Sequence, residues 1–182
     1  MNEGLIPRRY AKALYKFALE KSADGRMYEL MTTLAHSFAQ EKALQEAVGN
    51  PYISETDKCL LLTTASGATP DDTVYADFLK LLARNRRTDM MDGIARAYCD
   101  IYRQAHRIYV VNVVSAAPLP AVQQQRLRDM VAAHLPEGST MEYTSSVDPS
   151  LIGGFTVSVG NERIDASISN ELKQMRISLL SK

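Results

Sequence analysis

The side chains most able to perform chemistry are few in this sequence and stand apart from one another. His36, His106 and His134 have no metal-ligating partner at helical spacing, and Cys59 and Cys99 do not form a Cys-x-x-Cys pair. The sequence contains no Gly-x-Ser-x-Gly nucleophile motif and no glycine-rich phosphate-binding loop. We therefore predict a protein without catalytic residues, metal site or cofactor, in which both cysteines are structural thiols.

Two charged clusters invite a functional interpretation, but each also has a structural one. Asp71-Asp72 precedes a helical pattern, where carboxylates cap a helix start, and Arg84-Asn85-Arg86-Arg87 follows it, where cations favour a helix end. A basic cluster can also contact nucleic acid. However, the 21 Lys and Arg residues equal the 21 Asp and Glu residues, and they also balance within residues 1–106 and 107–182 separately. This balance weighs against nucleic-acid binding, so a small RNA-binding module is kept only as the alternative.

Apolar residues up to about residue 106 recur at helical spacing and predict six helices packed as a bundle. Pro7 falls in the first turn of the first helix, Gly25 follows that helix, and Ser54 is expected to cap the fourth. Asp71 or Asp72 is expected to cap the fifth. The stripes expected to face inward on the first and fifth helices are Ile6, Tyr10, Ala13, Leu14 and Phe17, and Val74, Phe78, Leu81 and Leu82.

From residue 107 the pattern changes to alternation and predicts the order β-α-β-β-β-α. A buried strand is expected over residues 108–115, and a hairpin turn at Gly160-Asn161. The doublet Gly153-Gly154 is interpreted as a bend or a close approach to a neighbouring strand. The apolar residues expected to face inward are Val122, Leu127, Met130, Val131 and Leu135 on the first helix, Ile164 and Ala166 on the last strand, and Leu172, Met175 and Leu179 on the last helix. The fold class is therefore α+β, with a six-helix bundle at 1–106 followed by a small α/β domain at 107–182.

The first and fifth helices each carry a second apolar face, which a small bundle does not require. These faces consist of Ala11, Tyr15, Ala18 and Ser22, and of Tyr75, Leu79 and Ala83. Either both helices are central and the faces are internal, or the faces form a groove that receives an amphipathic helix from a partner. The sequence pattern leaves both alternatives open.

The sequence contains no apolar run near the roughly 18 residues needed to cross a bilayer. Its first residues lack the apolar core of a secretory signal, and two cysteines without pairing motifs fit a reducing compartment. We therefore expect a cytoplasmic location and no direct membrane span.

Three segments resemble the delta subunit family of bacterial F-type ATP synthases, whose mitochondrial counterpart is the oligomycin-sensitivity-conferring protein. They are Arg9-Tyr10-Ala11-Lys12-Ala13-Leu14, residues 78–87, and residues 147–160 with their continuation through Asp165 to Leu172. The third segment is similar to the family signature, carried here by Asp148, Pro149, Gly153, Gly154, Phe155 and Asp165. Ala166 stands where many relatives have glycine, and we expect no functional consequence.

This resemblance implies a non-catalytic subunit of the peripheral stalk, or stator, at the cytoplasmic face of the bacterial inner membrane. It implies that the bundle binds the catalytic head through N-terminal helices of the alpha subunits, and that the C-terminal domain holds the ends of the b subunits. Rotor torque would thereby be resisted and ion transport coupled to ATP synthesis. The resemblance favours the groove alternative, with the predicted lining Ala11, Leu14, Tyr15, Ala18, Tyr75, Phe78, Leu79 and Leu82. For the b subunits, the predicted contacts are Met175, Leu179 and Leu180.

Overall fold

The computed structural model of the protein describes residues 4–160 and 162–180, with side chains up to residue 174. The chain divides into two compact units, Met1–Ala105 and His106–Lys182. The first unit is helical, and the second combines a four-stranded sheet with two α-helices. The predicted α+β class is confirmed. Along the described ranges, no helix has the length and apolar content required to cross a bilayer.

The first unit contains, over its described residues, the six predicted α-helices and one short 3-10 turn. Their bounds are α1 Leu5–Glu20, α2 Asp24–Gln40, α3 Lys42–Gly49, α4 Glu55–Ser66, α5 Thr73–Arg84 and α6 Met91–Ala105, with the 3-10 turn at Thr88–Met90. The predicted cap of α4 is confirmed, because the Ser54 hydroxyl accepts the backbone N–H of Asp57 at 3.2 Å and donates to its carboxylate at 2.6 Å. Gly67, at φ +69°, ends the same helix in the left-handed conformation.

The face that α1 turns inward differs from the predicted one. Pro7, Ala11, Leu14 and Ala18 are buried, whereas the expected inward residues Ala13 and Phe17 are exposed. Small residues face inward because α6 packs closely along α1: a Cβ added to Gly93 of α6 would lie 3.2 Å from the Pro7 ring. On α5, Val74, Phe78 and Leu82 are buried as predicted, but Leu81 is exposed. The predicted inward stripes were therefore wrong at Ala13, Phe17 and Leu81.

The second unit has the predicted β-α-β-β-β-α order. Its elements are β1 Ile108–Ser115, α7 Ala121–His134, β2 Thr140–Val147, β3 Gly154–Val159, β4 Glu162–Ser167 and α8 Ile168–Leu180, with a 3-10 turn at Pro149–Leu151. The strand order is β2-β1-β3-β4, so that β1 is central. β1 is parallel to β2 and antiparallel to β3, and β3 and β4 form an antiparallel hairpin. The parallel pair requires a crossover, which α7 supplies.

Among the side chains that the structure describes, which on α8 end at residue 174, the core of the second unit is small. It is built from Val111 and Val113 of β1, Leu127 of α7 and Val157 of β3. Several residues expected to face inward are instead exposed, namely Val122 and Met130 on α7, Ile164 and Ala166 on β4, and Leu172 on α8. A single stripe of α7, through Leu127, covers the centre of the sheet. Because β4 is an edge strand, its apolar side chains lie beyond that cover.

Gly153-Gly154 provides the predicted close approach between strands. Gly154 has φ +77°, and a Cβ at this position would overlap the backbone carbonyl oxygen of Ala166 on β4. The preceding residue, Ile152, has φ +66° and ψ −41°, and the N–H of Gly153 donates to the carbonyl of Leu151 at 2.7 Å. Ile152 is therefore the central residue of a γ-turn with positive φ, a rare and strained conformation for a β-branched side chain.

Candidate partner-binding site

Seven of the eight residues predicted to line a groove are buried inside the first unit. Each is at most 6% exposed, and they are Ala11, Leu14, Ala18, Tyr75, Phe78, Leu79 and Leu82. The eighth, Tyr15, is half-buried. The second apolar faces of α1 and α5 are thus mostly internal, with Ser22 exposed and Ala83 half-buried. This agrees with one of the two alternatives that the sequence left open, and binding of a partner by these residues stays a prediction.

The structure also places the aromatic members of that set on different sides of the bundle. Tyr15 makes edge-to-face contacts with Tyr98 and Tyr102 of α6, at ring-centroid distances of 6.0 and 6.4 Å. Burial, and secondarily the carboxylate of Asp24, raise the pKa of Tyr15. Tyr75 faces α4 instead, where its hydroxyl donates to the Leu62 carbonyl at 3.0 Å, and burial raises its pKa to about 12. These two tyrosines stabilise separate helix contacts and do not form a common site.

A different set of apolar side chains reaches the surface where α1 and α5 lie side by side. At one end, the amide of Asn85 donates to the Tyr10 hydroxyl at 3.4 Å, and the Arg87 guanidinium lies 5.8 Å from the Tyr10 ring centroid. At the other end, Phe17 and Val74 line one depression of about 580 Å³. The two helices are therefore antiparallel along this contact.

We name this surface the α1–α5 seam. It consists of Tyr10, Ala13 and Phe17 of α1 with Leu81 of α5, and the buried Val74 of α5 lies beneath its Phe17 end. Residues at these spacings share one face of each helix. The side chains of Phe17 and Leu81 are 38% and 48% exposed, above a buried floor that includes Leu14 and Phe78. The seam is thus an apolar strip on the surface, supported from beneath by residues that the sequence had assigned to its lining.

The Phe17 end of the α1–α5 seam is bounded by an ion-pair network. Arg26 of α2 donates twice to Asp72, at 3.1 Å each, and Asp72 also accepts the backbone N–H and the hydroxyl of Thr69 at 2.8 and 3.1 Å. These donors, Arg26 foremost, lower the pKa of Asp72. Asp72 occupies the N-cap position of α5, but its side chain makes no capping hydrogen bond to that helix. The expected cap is therefore replaced by the Arg26–Asp72 ion pair, which joins α2 to the loop before α5.

The acidic signature residues of the second unit hold its turns. The Asp148 carboxylate accepts the Ser150 N–H at 2.9 Å, and Asp165 accepts the Ser167 hydroxyl at 2.6 Å and its N–H at 3.1 Å. Bonding to these serines, through the hydroxyl first and the N–H second, lowers the pKa of both carboxyl groups. The Ser167 hydroxyl accepts the N–H of Asn170 and so caps α8.

The second unit exposes a separate group of apolar side chains near the start of α8. Ile152, Ile168 and Leu172 are all exposed, and Ile168 lies against Gly153. The residues of this helix predicted to contact the b subunits, Met175, Leu179 and Leu180, lie outside the residues whose side chains are described. Among the described residues, no three His, Cys, Asp or Glu side chains lie close enough together to hold a metal ion.

Comparison with known protein families decides what kind of protein carries this arrangement. A family model described as "ATP synthase delta (OSCP) subunit" matches residues 6–179. The chain belongs to the ATP synthase delta (OSCP) subunit family. Members of this family are subunits of the peripheral stalk, and the protein is accordingly a peripheral subunit of an ATP synthase complex.

Individual proteins of ATP synthases are similar to this chain over nearly its whole length. The chain is 35% identical to ATP synthase subunit delta of Bacteroides thetaiotaomicron, over all of this chain and 97% of that protein. It is 36% identical to the mitochondrial ATP synthase subunit O of Drosophila melanogaster, over 91% of this chain and 79% of that one. A chain of the Toxoplasma gondii mitochondrial ATP synthase hexamer shares the fold, with a TM-score of 0.74 at 22% identity over 96% and 97% of the two chains.

Proposed function

We propose that the protein connects the catalytic head of an F-type ATP synthase to the b subunits at the cytoplasmic face of the bacterial inner membrane. In this role it resists rotor torque, so that ion transport stays coupled to ATP synthesis. Membership in the delta (OSCP) family supports the general role, and the α1–α5 seam is the observation that carries the contact with the head. The two units supply two separate binding surfaces, as a connector requires.

The α1–α5 seam suits an N-terminal helix of an alpha subunit. An amphipathic helix docks by placing its apolar face on an apolar strip, and Phe17 and Leu81 already expose such a strip. The 12 residues of α5 correspond to a length of about 18 Å, which fits a partner helix of similar length. The buried floor beneath the seam holds these side chains in place before the partner arrives, which limits the entropy lost on binding.

The second unit is the proposed site for the ends of the b subunits. Its exposed apolar group consists of Ile152, Ile168 and Leu172, and the predicted contacts Met175, Leu179 and Leu180 follow later in the sequence of α8. Apolar side chains at this density on a unit with a small core are typical of a surface that a partner covers. The proposal for this unit rests on these exposed side chains and on the family.

Substitution of exposed seam residues tests the contact with the head. We expect Phe17→Asp and Leu81→Asp each to weaken binding of a synthetic peptide of the alpha subunit's N-terminal helix at least tenfold, because each buries a charge against the partner. Isothermal titration calorimetry measures the affinity, and circular dichroism checks the fold. Leu60→Asp is the matched control, because Leu60 is 67% exposed on α4, outside the seam. Equal affinity in all variants would contradict the assignment.

Purification of the assembled complex tests the connector role as a whole. A tagged copy of the full chain, expressed in its own host, is expected to recover the alpha, beta and b subunits from gently solubilised membranes. Phe17→Asp with Leu81→Asp should lose the alpha and beta subunits while retaining b, because the second unit is unchanged. Recovery of all three by the double variant would show that the head binds elsewhere.

A further inference from the structure

The α1–α5 seam has an uneven distribution of charge along its length. At the Tyr10 end, Arg84, Arg86 and Arg87 lie within four residues of one another. At the Phe17 end, acidic and basic groups alternate: Asp72 pairs with Arg26, and Asp77 pairs with Lys80 at 3.0 Å. One end of the seam is therefore cationic, while the other is close to neutral.

Two of these arginines have no acidic partner among the residues that the structure describes. No carboxylate of the described residues lies within salt-bridge distance of Arg84 or Arg86, and both side chains are exposed. Arg87 is half-buried over the Tyr10 ring, which places it at the Tyr10 end of the α1–α5 seam. The cationic end is thus available to a carboxylate that approaches along the apolar strip.

The helix dipoles do not explain why three cations gather here. Cations are favourable at the C-terminus of a helix, and these residues follow the end of α5. However, α1 runs antiparallel to α5, so the partial positive charge of its N-terminus lies beside the partial negative charge of the α5 C-terminus. The two partial charges offset one another, and the arginine side chains then determine the potential at this end.

The backbone at Arg86 has a conformation that glycine usually adopts at the end of a helix. The N–H of Arg86 donates to Ala83 and that of Arg87 donates to Leu82, both at 3.0 Å, which is the Schellman arrangement at a helix end. In this arrangement the residue at the position of Arg86 is left-handed, and its φ is +54°. Glycine is strongly favoured at that position because a Cβ is unfavourable there. The sequence thus keeps a charged side chain at a position where glycine is favoured, at the cationic end of the seam.

We infer that the α1–α5 seam takes its partner helix with an acidic end placed over Arg84, Arg86 and Arg87. The occupant is an amphipathic helix of about 12 residues whose carboxylates cluster at one end of its polar face. This inference rests on the proposed function of the seam as the site for an alpha-subunit N-terminal helix. The charges fix which end of the helix lies at Tyr10, which the apolar contacts alone do not fix.

Calorimetric titration with a matched pair of peptides tests this inference. The first probe is a synthetic peptide of about the first 20 residues of the alpha subunit from the same organism, and the second has every Asp and Glu replaced by Asn and Gln. We expect Arg84→Glu to weaken binding of the first probe about tenfold at low ionic strength and less at high salt. Arg126→Glu is the control, because it makes the same charge change at an exposed position of α7. The amide probe should bind the wild type more weakly and respond little to Arg84→Glu.

Arg86→Gly separates a binding role from a structural one. It is expected to raise the unfolding temperature, because glycine suits the left-handed position, and yet to weaken binding of the acidic probe. Equal affinity of both probes for the wild type, or equal effects of Arg84→Glu and Arg126→Glu, would overturn the inference while leaving the seam as the site. Failure of the wild-type protein to bind the first probe at all would overturn the proposed function and this inference with it.

Discussion

Ile152 shows at the scale of one residue how the signature segment is organised. Its backbone occupies the centre of a γ-turn with positive φ, although its side chain is β-branched and 67% exposed. Such a conformation costs about 1–3 kcal/mol for a residue other than glycine. The neighbouring contacts impose it, since Asp148 closes the preceding turn and the Gly153 carbonyl accepts the N–H of Ile168 at 3.0 Å. Position 152 therefore keeps an apolar side chain at the expense of stability.

Replacement of Ile152 by glycine should stabilise the isolated protein. We expect Ile152→Gly to increase the free energy of unfolding by about 1 kcal/mol, because the relief of backbone strain exceeds the loss of a mostly exposed side chain. Urea denaturation followed by circular dichroism measures the change. Ile152→Val keeps the β-branch and should differ from the wild type by less than about 0.5 kcal/mol. A destabilised glycine variant would show that the side chain itself supports the fold.

Gly154 should be among the least replaceable residues of the second unit. Gly154→Ala is expected to lower the free energy of unfolding by more than about 2 kcal/mol, because the new Cβ would overlap the Ala166 carbonyl oxygen and separate β3 from β4. Gly160→Ala is the matched control: φ there is +56°, but no atom lies within 4 Å of the added Cβ. It should lower stability by only about 1 kcal/mol in the same denaturation experiment. If Gly154→Ala and Gly160→Ala lowered the free energy of unfolding equally, the whole effect would come from the positive φ and none from the overlap with Ala166.

At the scale of elements, the Arg26–Asp72 ion pair between α2 and the loop before α5 makes the free energy of unfolding depend on pH. The pKa of Asp72 is lower in the folded protein than its usual value, so the Asp72 contribution is complete above that usual value. It is lost as the pH falls through the lower, folded value. We expect Asp72→Asn to be less stable than the wild type at pH 7 and to lose less stability between about pH 5 and pH 2. Denaturation midpoints measured across this range check the difference.

Asp77→Asn provides the control for this pH dependence. Asp77 pairs with Lys80 within α5, and both side chains are mostly exposed, so the pair contributes little. Its removal should leave the acid-induced loss of stability close to that of the wild type. Parallel pH profiles for Asp72→Asn and the wild type would mean that the Arg26 contact has no net effect.

The periodicity of the sequence predicts the elements far better than the faces they bury. All six helices of the bundle and the β-α-β-β-β-α order follow from spacing, caps and breakers. On α1, however, the stripe through Tyr10 and Phe17 is only one residue out of step with the stripe through Ala11 and Ala18. Hydrophobicity favours burial of the stripe with the aromatic residues. Close packing against α6 instead buries the stripe with the small residues.

This one-residue difference on α1 also explains why predicted lining residues such as Ala11 and Ala18 are buried inside the bundle. The sequence indicates two apolar faces on each of α1 and α5. On α1 it exchanges the inner face for the outer one, whereas on α5 both faces are mostly buried and only Leu81 is wrongly placed. Leu14 belongs to the predicted inward stripe and is also buried with Ala11 and Ala18, so its burial does not distinguish the two faces. The usable signal is small residues at Ala11 and Ala18, which permit close helix contact, together with Gly93 opposite Pro7. For the second unit, alternation cannot show that β4 lies at the sheet edge, because strand order depends on pairing between distant segments.

At the scale of the whole molecule, the two units have unequal cores. The core of the first unit draws on α1, α2, α3, α4, α5 and α6, whereas that of the second, over the side chains that the structure describes, consists of Val111, Val113, Leu127 and Val157. Buried apolar area is the main favourable contribution to folding. The unit His106–Lys182 should therefore be the less stable of the two in the isolated chain.

Scanning calorimetry should resolve this difference as two transitions. We expect Val113→Ala to lower the midpoint of the first transition alone, and Leu34→Ala, in the other core, to lower that of the second. Addition of a peptide from the C-terminal end of b should raise only the first midpoint, because a ligand stabilises the unit that binds it. A single transition that responds to both substitutions would show that the units unfold together.

The central position of β1 has a mechanical consequence. α6 ends at Ala105 and β1 begins at Ile108, so tension carried along the chain from the first unit enters the second at the middle of its sheet. There β1 is hydrogen-bonded to β2 along eight residue pairs, Ile108↔Thr140 through Ser115↔Val147, and to β3 on its other side. A pull along the strand loads these bonds in shear, together rather than one after another. The second unit thus receives force at its most extensively paired strand, where it is least easily unzipped.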